Sequence, residues 1–501
     1  MSIQPKEENV ARLVIVSNRV TAGGKKGQAP GGLATALKDV LTPETIWFGW
    51  SGKRGETSGQ LTHSNADGAQ IIGMDLAEKD FSRFYVGFAN RTLWPLLHYR
   101  PGLLSFDRSD YEGYLSVNNQ FADALMQFLR PDDIVWVHDY HFIPLAACLR
   151  QRNFTGRIGF YLHIPFVPPA LFSVLPPSRA LLSAMCEYDH VGFQTETDVR
   201  HFRACVMEIL RYSISKDGVI FGPHRPCISS AIPVGIDTEG FAVMAAEAEH
   251  KQDAERLRES MGDKALILGV DRLDYSKGLL QRFIGYGRLL EKHPEHRQHV
   301  GLLQIAPRSR DDVKEYRDVK RQLDQLVGQI NGQHADFDWV PIRYLTRDMP
   351  RSMLAGFHRV ARVGLVTPLR DGMNLVAKEF VAAQNPADPG VLVLSRFAGA
   401  AAELQDALLI NPFDPDEIAE ALHAALTMPL AERQARWRRM YEIIHRNSAS
   451  AWSQACLQAV LGHRQMPVPP SSRYHWQRDQ RLGQEEQPHE PSPERPIRPA
   501  V

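Results

Sequence analysis

The chain has 501 residues, more than one hydrophobic core usually serves, so two domains are the expectation. Lysine plus arginine and aspartate plus glutamate both total 58; that balance offers nucleic acid or an anionic membrane no bulk attraction, and any anion site must be a local cluster. The five cysteines (Cys148, Cys186, Cys205, Cys227, Cys456) are odd in number and lack C-x-x-C spacing. With a polar stretch from Met1 to Asn9 and no apolar run long enough to span a bilayer, they point to reduced thiols in a soluble cytoplasmic protein.

Arg12 to Ser17 reads as a buried strand, with Asn18 and Arg19 at its carboxyl end. A Gly/Lys/Gln loop leads through Gly31-Gly32 to Leu33, Ala36, Leu37, Val40 and Leu41 at helical spacing. Strand, glycine loop and helix make a phosphate cradle, although the dinucleotide fingerprint and the P-loop Lys-Ser/Thr are missing. Ile46 to Gly52 is a second strand, and Val117 to Phe128 a helix. Strands at Ile134–His138, Arg157–His163 and Val191–Gln194 then alternate with helices, which argues for a parallel sheet covered on both faces. Ile232 to Asp237 crosses into a second unit. There, strands at Ala265–Val270, Val300–Ala306, Val340–Leu345, Val363–Thr367, Val391–Ser395 and Leu408–Asn411 alternate with helices, notably Gly278–Leu290 and Val313–Ile330. The architecture is two Rossmann-like α/β domains in tandem, facing a cleft. Ala451 to Leu461 is a terminal helix. From Gln465 the chain is rich in Pro, Arg, Glu and Gln with few aliphatics, and is expected to be disordered.

Chemistry concentrates at strand ends. Val363 to Thr367 breaks at Pro368, crosses Leu369-Arg370-Asp371-Gly372, and restarts as a helix after Asn374, a favoured N-cap residue. Free backbone N–H groups there suit phosphate, Asp371 can accept from hydroxyls, and Glu379 on the helix is placed for a ribose diol. Arg272 and Lys277 share one strand-to-helix loop and suit a diphosphate. Arg308 and Arg310 follow another strand end, as Arg19 does in the first half, so two anionic sites are expected. His138 and His141 have H-x-x-H spacing without a third ligand, and a structural role is the expectation. His293, His296 and His299 read as solvated, and Asp336/Asp338 and Asp414/Asp416 as ordinary connector acids. Tyr85, Trp94 and Tyr99 fall in an irregular stretch, where core packing and sugar-binding platforms use the same residue types.

Eight motifs occur together in order: Ser17-Asn-Arg19, Gly31-Gly-Leu33, Phe48-Gly-Trp-Ser-Gly52, His98-Tyr-Arg100, His138-Asp-Tyr-His141, His163-Ile-Pro-Phe166, Arg272 to Gly278, and Asp371 to Glu379. The set resembles the trehalose-6-phosphate synthase family over about residues 11–462. The resemblance implies a GT-B glycosyltransferase that moves glucose from UDP-glucose to glucose 6-phosphate with retention, with no metal or other cofactor. With the sequence pattern above, the expected division is an acceptor domain over 1–235, a nucleotide-sugar domain over 236–450, a terminal helix over 451–464 and a tail over 465–501 that has no counterpart in the family. Carried over by residue, Arg272 and Lys277 hold the donor diphosphate and Glu379 the ribose. Asp371 and the backbone of Met373, Asn374, Leu375 and Val376 hold donor sugar and phosphates. Gly32 and Leu33 belong to the loop closing over the donor, and His163 contacts its glucose, which makes Arg272, Lys277, Asp371 and His163 the catalytic set. Arg19 and Arg310 clamp the acceptor phosphate, and Trp50, Tyr85, Trp94 and Asp139 line the acceptor sugar. Partners would be these small molecules, with no nucleic acid or membrane and room for a homo-oligomer. Val167 and Ala170 depart from the family's usual Pro and Glu. The rival readings are a glucosylglycerol-phosphate synthase-like transferase and a catalytically silent sugar-phosphate sensor.

Overall fold

The computed structural model describes residues 11–20, 36–37, 40–66, 68–308 and 314–462. Two sheets organise them. The first contains β1 (Leu13–Arg19), β2 (Ile46–Gly55), β3 (Leu61–Ala66), β4 (Ala69–Ala77), β5 (Ile134–His138), β6 (Arg157–Tyr161), β7 (His190–Phe193), β8 (Ser213–Ile214), β9 (Val219–Phe221) and β10 (Pro226–Ala231). Their order is β3-β4-β2-β1-β5-β6-β7-β10-β9-β8. The second contains β11 (Ala265–Val270), β12 (Val300–Ile305), β13 (Ile342–Leu345), β14 (Val363–Val366), β15 (Val391–Ser395) and β16 (Leu408–Ile410), in the order β13-β12-β11-β14-β15-β16.

All pairings in the second sheet are parallel. The first is parallel in its middle but has antiparallel margins, β3 on β4 at one side and β8 and β9 on β10 at the other. The parallel strands read as apolar runs because they are buried on both faces: Val14, Ile15, Val16 and all of Ile134–His138 are buried. Among its parallel strands, each sheet reverses its order at one place, between β1 and β5 in the first and between β11 and β14 in the second. Open α/β sheets bind ligands at the carboxyl ends of strands flanking such a reversal.

One expectation needs correction. The stretch holding Tyr85 and Trp94 is not irregular but helical: Glu78–Phe81 runs into a π-type helix, Ser82–Leu93, and then Trp94–Leu97. Tyr99 follows it with φ at 60°.

The chain crosses between the sheets twice. Residues Ile232 to Asp237 lead out of the first unit, and Asn447 and Ser448 lead back. The crossings touch: Ala449 N–H donates to the Ile236 carbonyl at 3.1 Å, and Thr238 Oγ1–H to the Ile444 carbonyl at 2.9 Å. Gly235 is needed there, because a methyl group would strike the Asn447 carbonyl oxygen. The last helix, Ala449–Leu461, lies on the first sheet, with Trp452 5.2 Å from Trp136 and 5.1 Å from Tyr161 between ring centroids. No helix among the described residues is long and apolar enough to cross a membrane.

Candidate active site

At the second reversal, the loops after β11 and β14 interlock. Asp274 caps the first loop by accepting from Ser276 N–H at 2.9 Å and from Tyr316 O–H at 3.0 Å. Gly278 turns it into the helix Leu279–Lys292 with φ at 62°, and a methyl group there would strike the Thr367 carbonyl. The second loop hangs on the first, with Leu369 N–H donating to the Ser276 carbonyl at 2.7 Å. This fit brings Lys277 Nζ to 2.5 Å from Asp371 Oδ2. Asn374 Nδ2–H donates to the same oxygen at 3.0 Å, while its own side-chain oxygen caps Ala377 N–H at 3.2 Å. Leu375 and Val376 therefore open the helix Leu375–Ala383 toward the loop, behind the buried Met373.

Burial alone would raise the Asp371 carboxyl, but the Lys277 ammonium outweighs it and holds it below its ordinary value. Burial likewise opposes the charge of Lys277, and Asp371 and Asp271 together raise its pKa. Beneath them Arg282, fully buried, meets Asp271 at 2.7 Å and donates to Gln304 at 2.7 Å and Thr367 at 3.0 Å. Glu379 pairs with Arg351 at 3.1 Å; burial raises its carboxyl, against the pull of that guanidinium. Arg272 is exposed at the rim, where its charge is felt by Lys277.

The first reversal is furnished differently. Arg19 is exposed at the end of β1, its guanidinium 5.6 Å from the Trp50 ring centroid. Trp50 packs on Phe81 and Tyr85, at 5.0 and 6.3 Å, and Tyr85 stacks on His141 at 5.8 Å. Trp94 is nearly sealed, its ring on His98 at 4.0 Å. Asp139, at the end of β5, takes φ of 76° and accepts from His163 N–H at 3.3 Å. That positive φ on a non-glycine residue is strain held at a site. His163 Nε2 lies 3.1 Å from His138 Nδ1. His98 Nδ1–H donates to the Trp94 carbonyl at 2.8 Å, and burial lowers its pKa to about 4 despite the nearby Asp274 and Asp371 carboxylates.

The halves meet across the cleft. A methyl group at Gly372 would strike the His163 carbonyl oxygen, so the second loop packs backbone to backbone on the first unit. Arg370 lies over the Tyr99 ring at 4.3 Å and donates to its hydroxyl at 3.3 Å. Of the residues expected at the site, Lys277, Asp371, Asn374 and the helix behind them gather on one wall; Arg19, Trp50, Tyr85, Asp139 and His163 gather on the other. Gly32, Leu33 and Arg310 lie outside the described residues, as does the tail from Gln465. The roles of Asp271, Arg282, Arg351 and Arg370 were not foreseen, whereas the structural role expected of His138 fits its contact with His163. The partners of the unforeseen residues come from other elements: Arg282 reaches Thr367 across the β11–β14 adjacency, Arg351 reaches Glu379 from a neighbouring helix, and Arg370 reaches Tyr99 across the cleft.

The remaining histidines are also corrected. His293 and His296 are not simply solvated: His293 stacks on His423 at 3.9 Å, and His296 Nε2 sits 3.0 Å from His423 Nδ1. His293, His423 and Glu295 hold possible ligand atoms within 4.8 Å of one another. The two imidazoles are nearly parallel, 12° apart, so their in-plane lone pairs do not converge on a common point.

The model of glycosyltransferase family 20 matches residues 12–461. A trehalose-6-phosphate synthase of Sodalis glossinidius is 44% identical over 449 residues, 89% of this chain and 95% of that one. A solved α,α-trehalose-phosphate synthase (UDP-forming) of Burkholderia xenovorans, in complex with glucose-6-phosphate, superposes with a TM-score of 0.87 at 45% identity, covering 90% of this chain and 100% of that one. An E. coli structure bound with UDP-2-fluoro glucose gives 0.86 at 42% identity, covering 92% and 100%.

Proposed function

The chain belongs to glycosyltransferase family 20, and from that premise we propose that it transfers glucose from UDP-glucose to glucose 6-phosphate with retention, releasing UDP and α,α-trehalose 6-phosphate. One observation carries the reading: the loop bearing Asp371 is pressed by Gly372 onto the His163 carbonyl, so two oppositely furnished strand edges share one cleft. We assign residues 236–450 to the donor and residues 1–235 to the acceptor.

Departure of UDP builds negative charge on the β-phosphate. Lys277 and the N–H groups opening Leu375–Ala383 are fixed in advance on that side, and Arg272 adds a further charge at the rim, so they stabilise the transition state more than the ground state. Asp371, ionised beside Lys277, accepts from sugar hydroxyls, and Glu379, steadied by Arg351, accepts from the ribose. Arg19 has no ion pair among the described residues and takes the acceptor phosphate, with Arg310 supplying a second charge. Trp50, Tyr85, Trp94 and Asp139 shape the acceptor pocket. Closure of the two halves excludes water and suppresses hydrolysis of the donor. The reaction runs without a metal ion: turnover in EDTA should equal that in Mg²⁺, and loss restored by Mg²⁺ would refute this. Five buried cysteines with no disulfide among them support a cytoplasmic setting. The presence of Arg272, Lys277, Asp371 and Glu379 argues against a silent sensor.

The deciding experiment offers purified protein UDP-, ADP- or GDP-glucose with glucose 6-phosphate or glycerol 3-phosphate. Formation of trehalose 6-phosphate from UDP-glucose is expected. Preference for glycerol 3-phosphate would replace this reading with that of a glucosylglycerol-phosphate synthase.

A further inference from the structure

His138 ends β5 and His163 follows β6, so two imidazoles meet beside the first reversal, Nδ1 of one 3.1 Å from Nε2 of the other. Burial holds both neutral near pH 7: it pulls His138 well below its ordinary value, helped by His163, and lowers His163 to about 3. A single proton therefore lies between the two facing nitrogens. Either His138 Nδ1–H donates to His163 Nε2, or His163 Nε2–H donates to His138 Nδ1.

The far nitrogen of His138 decides between them. Its Nε2 is sealed from solvent and has no hydrogen-bond partner among the described residues. In the first arrangement this atom is a lone pair, and in the second it is an N–H. A buried N–H without an acceptor is the costlier orphan. The indoles nearby do not rescue it. A ring N–H lies in its own ring plane and can aim squarely at an aromatic face only if the planes are near perpendicular. Trp136 meets His138 at 50° and Trp452 meets it at 49°.

We propose that His138 is a positioning residue that donates Nδ1–H to His163 Nε2 and so fixes the proton of His163 on Nδ1, presenting the cleft with an N–H donor. His163 is only half-buried, and its Nδ1 has no partner among the described residues. The group it suits is an acceptor oxygen, here a hydroxyl of the transferred hexose, which rests on the glycosyl-transfer reading above. Trp452, from the returning helix, packs beside both imidazoles at 6.3 and 6.0 Å and holds the pair in register.

The test begins with the full chain labelled with ¹⁵N at histidine. Ring ¹⁵N–¹H correlations distinguish the two neutral tautomers, and His163→Asn and His138→Asn identify the signals. Both rings are expected as Nδ1–H tautomers at pH 7, and a His163 protonated on Nε2 overturns the proposal. Variants supply the functional arm. His138→Asn keeps a donor near the Nδ1 position, His138→Ala removes it, and His138→Asp offers only an acceptor. Relative to the native protein, kcat/KM for UDP-glucose should stay within about threefold in the Asn variant and fall about tenfold in the Ala variant. The Asp variant should fall further and move the His163 proton to Nε2. Loss in Asn equal to that in Ala, at matched Tm, overturns the positioning role. The expected tautomer with undiminished activity in His138→Ala would instead overturn the part given to His163 in the reaction.

Discussion

Both sheets bring their carboxyl edges to the cleft where strand order reverses, yet they are furnished in opposite ways. At the β11–β14 edge, charge is dense and largely paired, Lys277 with Asp371, Arg282 with Asp271 and Glu379 with Arg351, with Arg272 exposed at the rim. At the β1–β5 edge, one exposed guanidinium, Arg19, stands among aromatic rings and neutral imidazoles. The difference suits the work assigned to each side. A bond breaking to release a diphosphate needs charges oriented beforehand, whereas a sugar phosphate that arrives whole needs an open cation and a shaped wall.

The sharpest way to break the comparison is Lys277→Ala, which strands a buried Asp371 beside the donor. Losing a preorganised cation that faces charge growing on the departing diphosphate is worth about a hundred- to a thousandfold in rate. The value of kcat/KM should therefore fall by at least about a hundredfold and UDP should bind more weakly in titration; the broken ion pair should separately lower Tm. An unchanged UDP affinity would end the assignment of this edge to the donor. Arg19→Ala comes next. Loss of a charge-assisted clamp is worth about 1.5–3 kcal/mol, so KM for glucose 6-phosphate should rise about ten- to a hundredfold while UDP binding stays put. Weaker UDP binding in this variant would merge the two sites.

Acid offers a third test. His98 and His163 have folded pKa values of about 4 and about 3, and His138 is also depressed. Between those values and the ordinary 6.5, the unfolded chain binds more protons than the native one. Their contribution to stability is therefore complete above pH 6.5 and drains away as pH falls toward 4 and 3. Asp371, depressed below 3.8, stays charged through most of that window. Hydrogen exchange should thus show β5 and β6 loosening at pH 5 before β11 and β14 do; the reverse order would contradict the contrast. The smallest effect is expected of Tyr99→Phe, which keeps the ring under Arg370 and loses a hydroxyl that also meets the Phe166 carbonyl and His201. A change of about 1 kcal/mol or less is expected, read as less than about a tenfold shift in kcat/KM.

Much of this architecture was legible in the sequence because parallel buried strands are written as uninterrupted apolar runs. Ala265–Val270 and Val391–Ser395 were bounded to the residue, and Asn374 announced its helix. Exposed antiparallel margins carry no such run: Leu-Thr-His-Ser-Asn-Ala has one aliphatic residue at its start, yet it forms β3. Ser82–Leu93 escaped for another reason, since its i→i+5 turns break the spacing by which α-helices are recognised. In the site, residues that follow a strand end were visible, but the partners that hold them were not. Arg282 looks like any helix cation until β11 and β14 are laid side by side.

The returning helix has a consequence for how the protein is made. Trp136 emerges from the ribosome roughly 300 residues before Trp452, an interval of roughly 15–60 s at ordinary elongation rates. Until then the face of the first sheet that holds Trp136, Tyr161 and Gly159 lacks its cover, including the Val460 side chain set against Gly159. The first half of the chain must wait for the helix Ala449–Leu461 to arrive, so a premature stop before Ala449 would leave an apolar surface for chaperones and proteases to find.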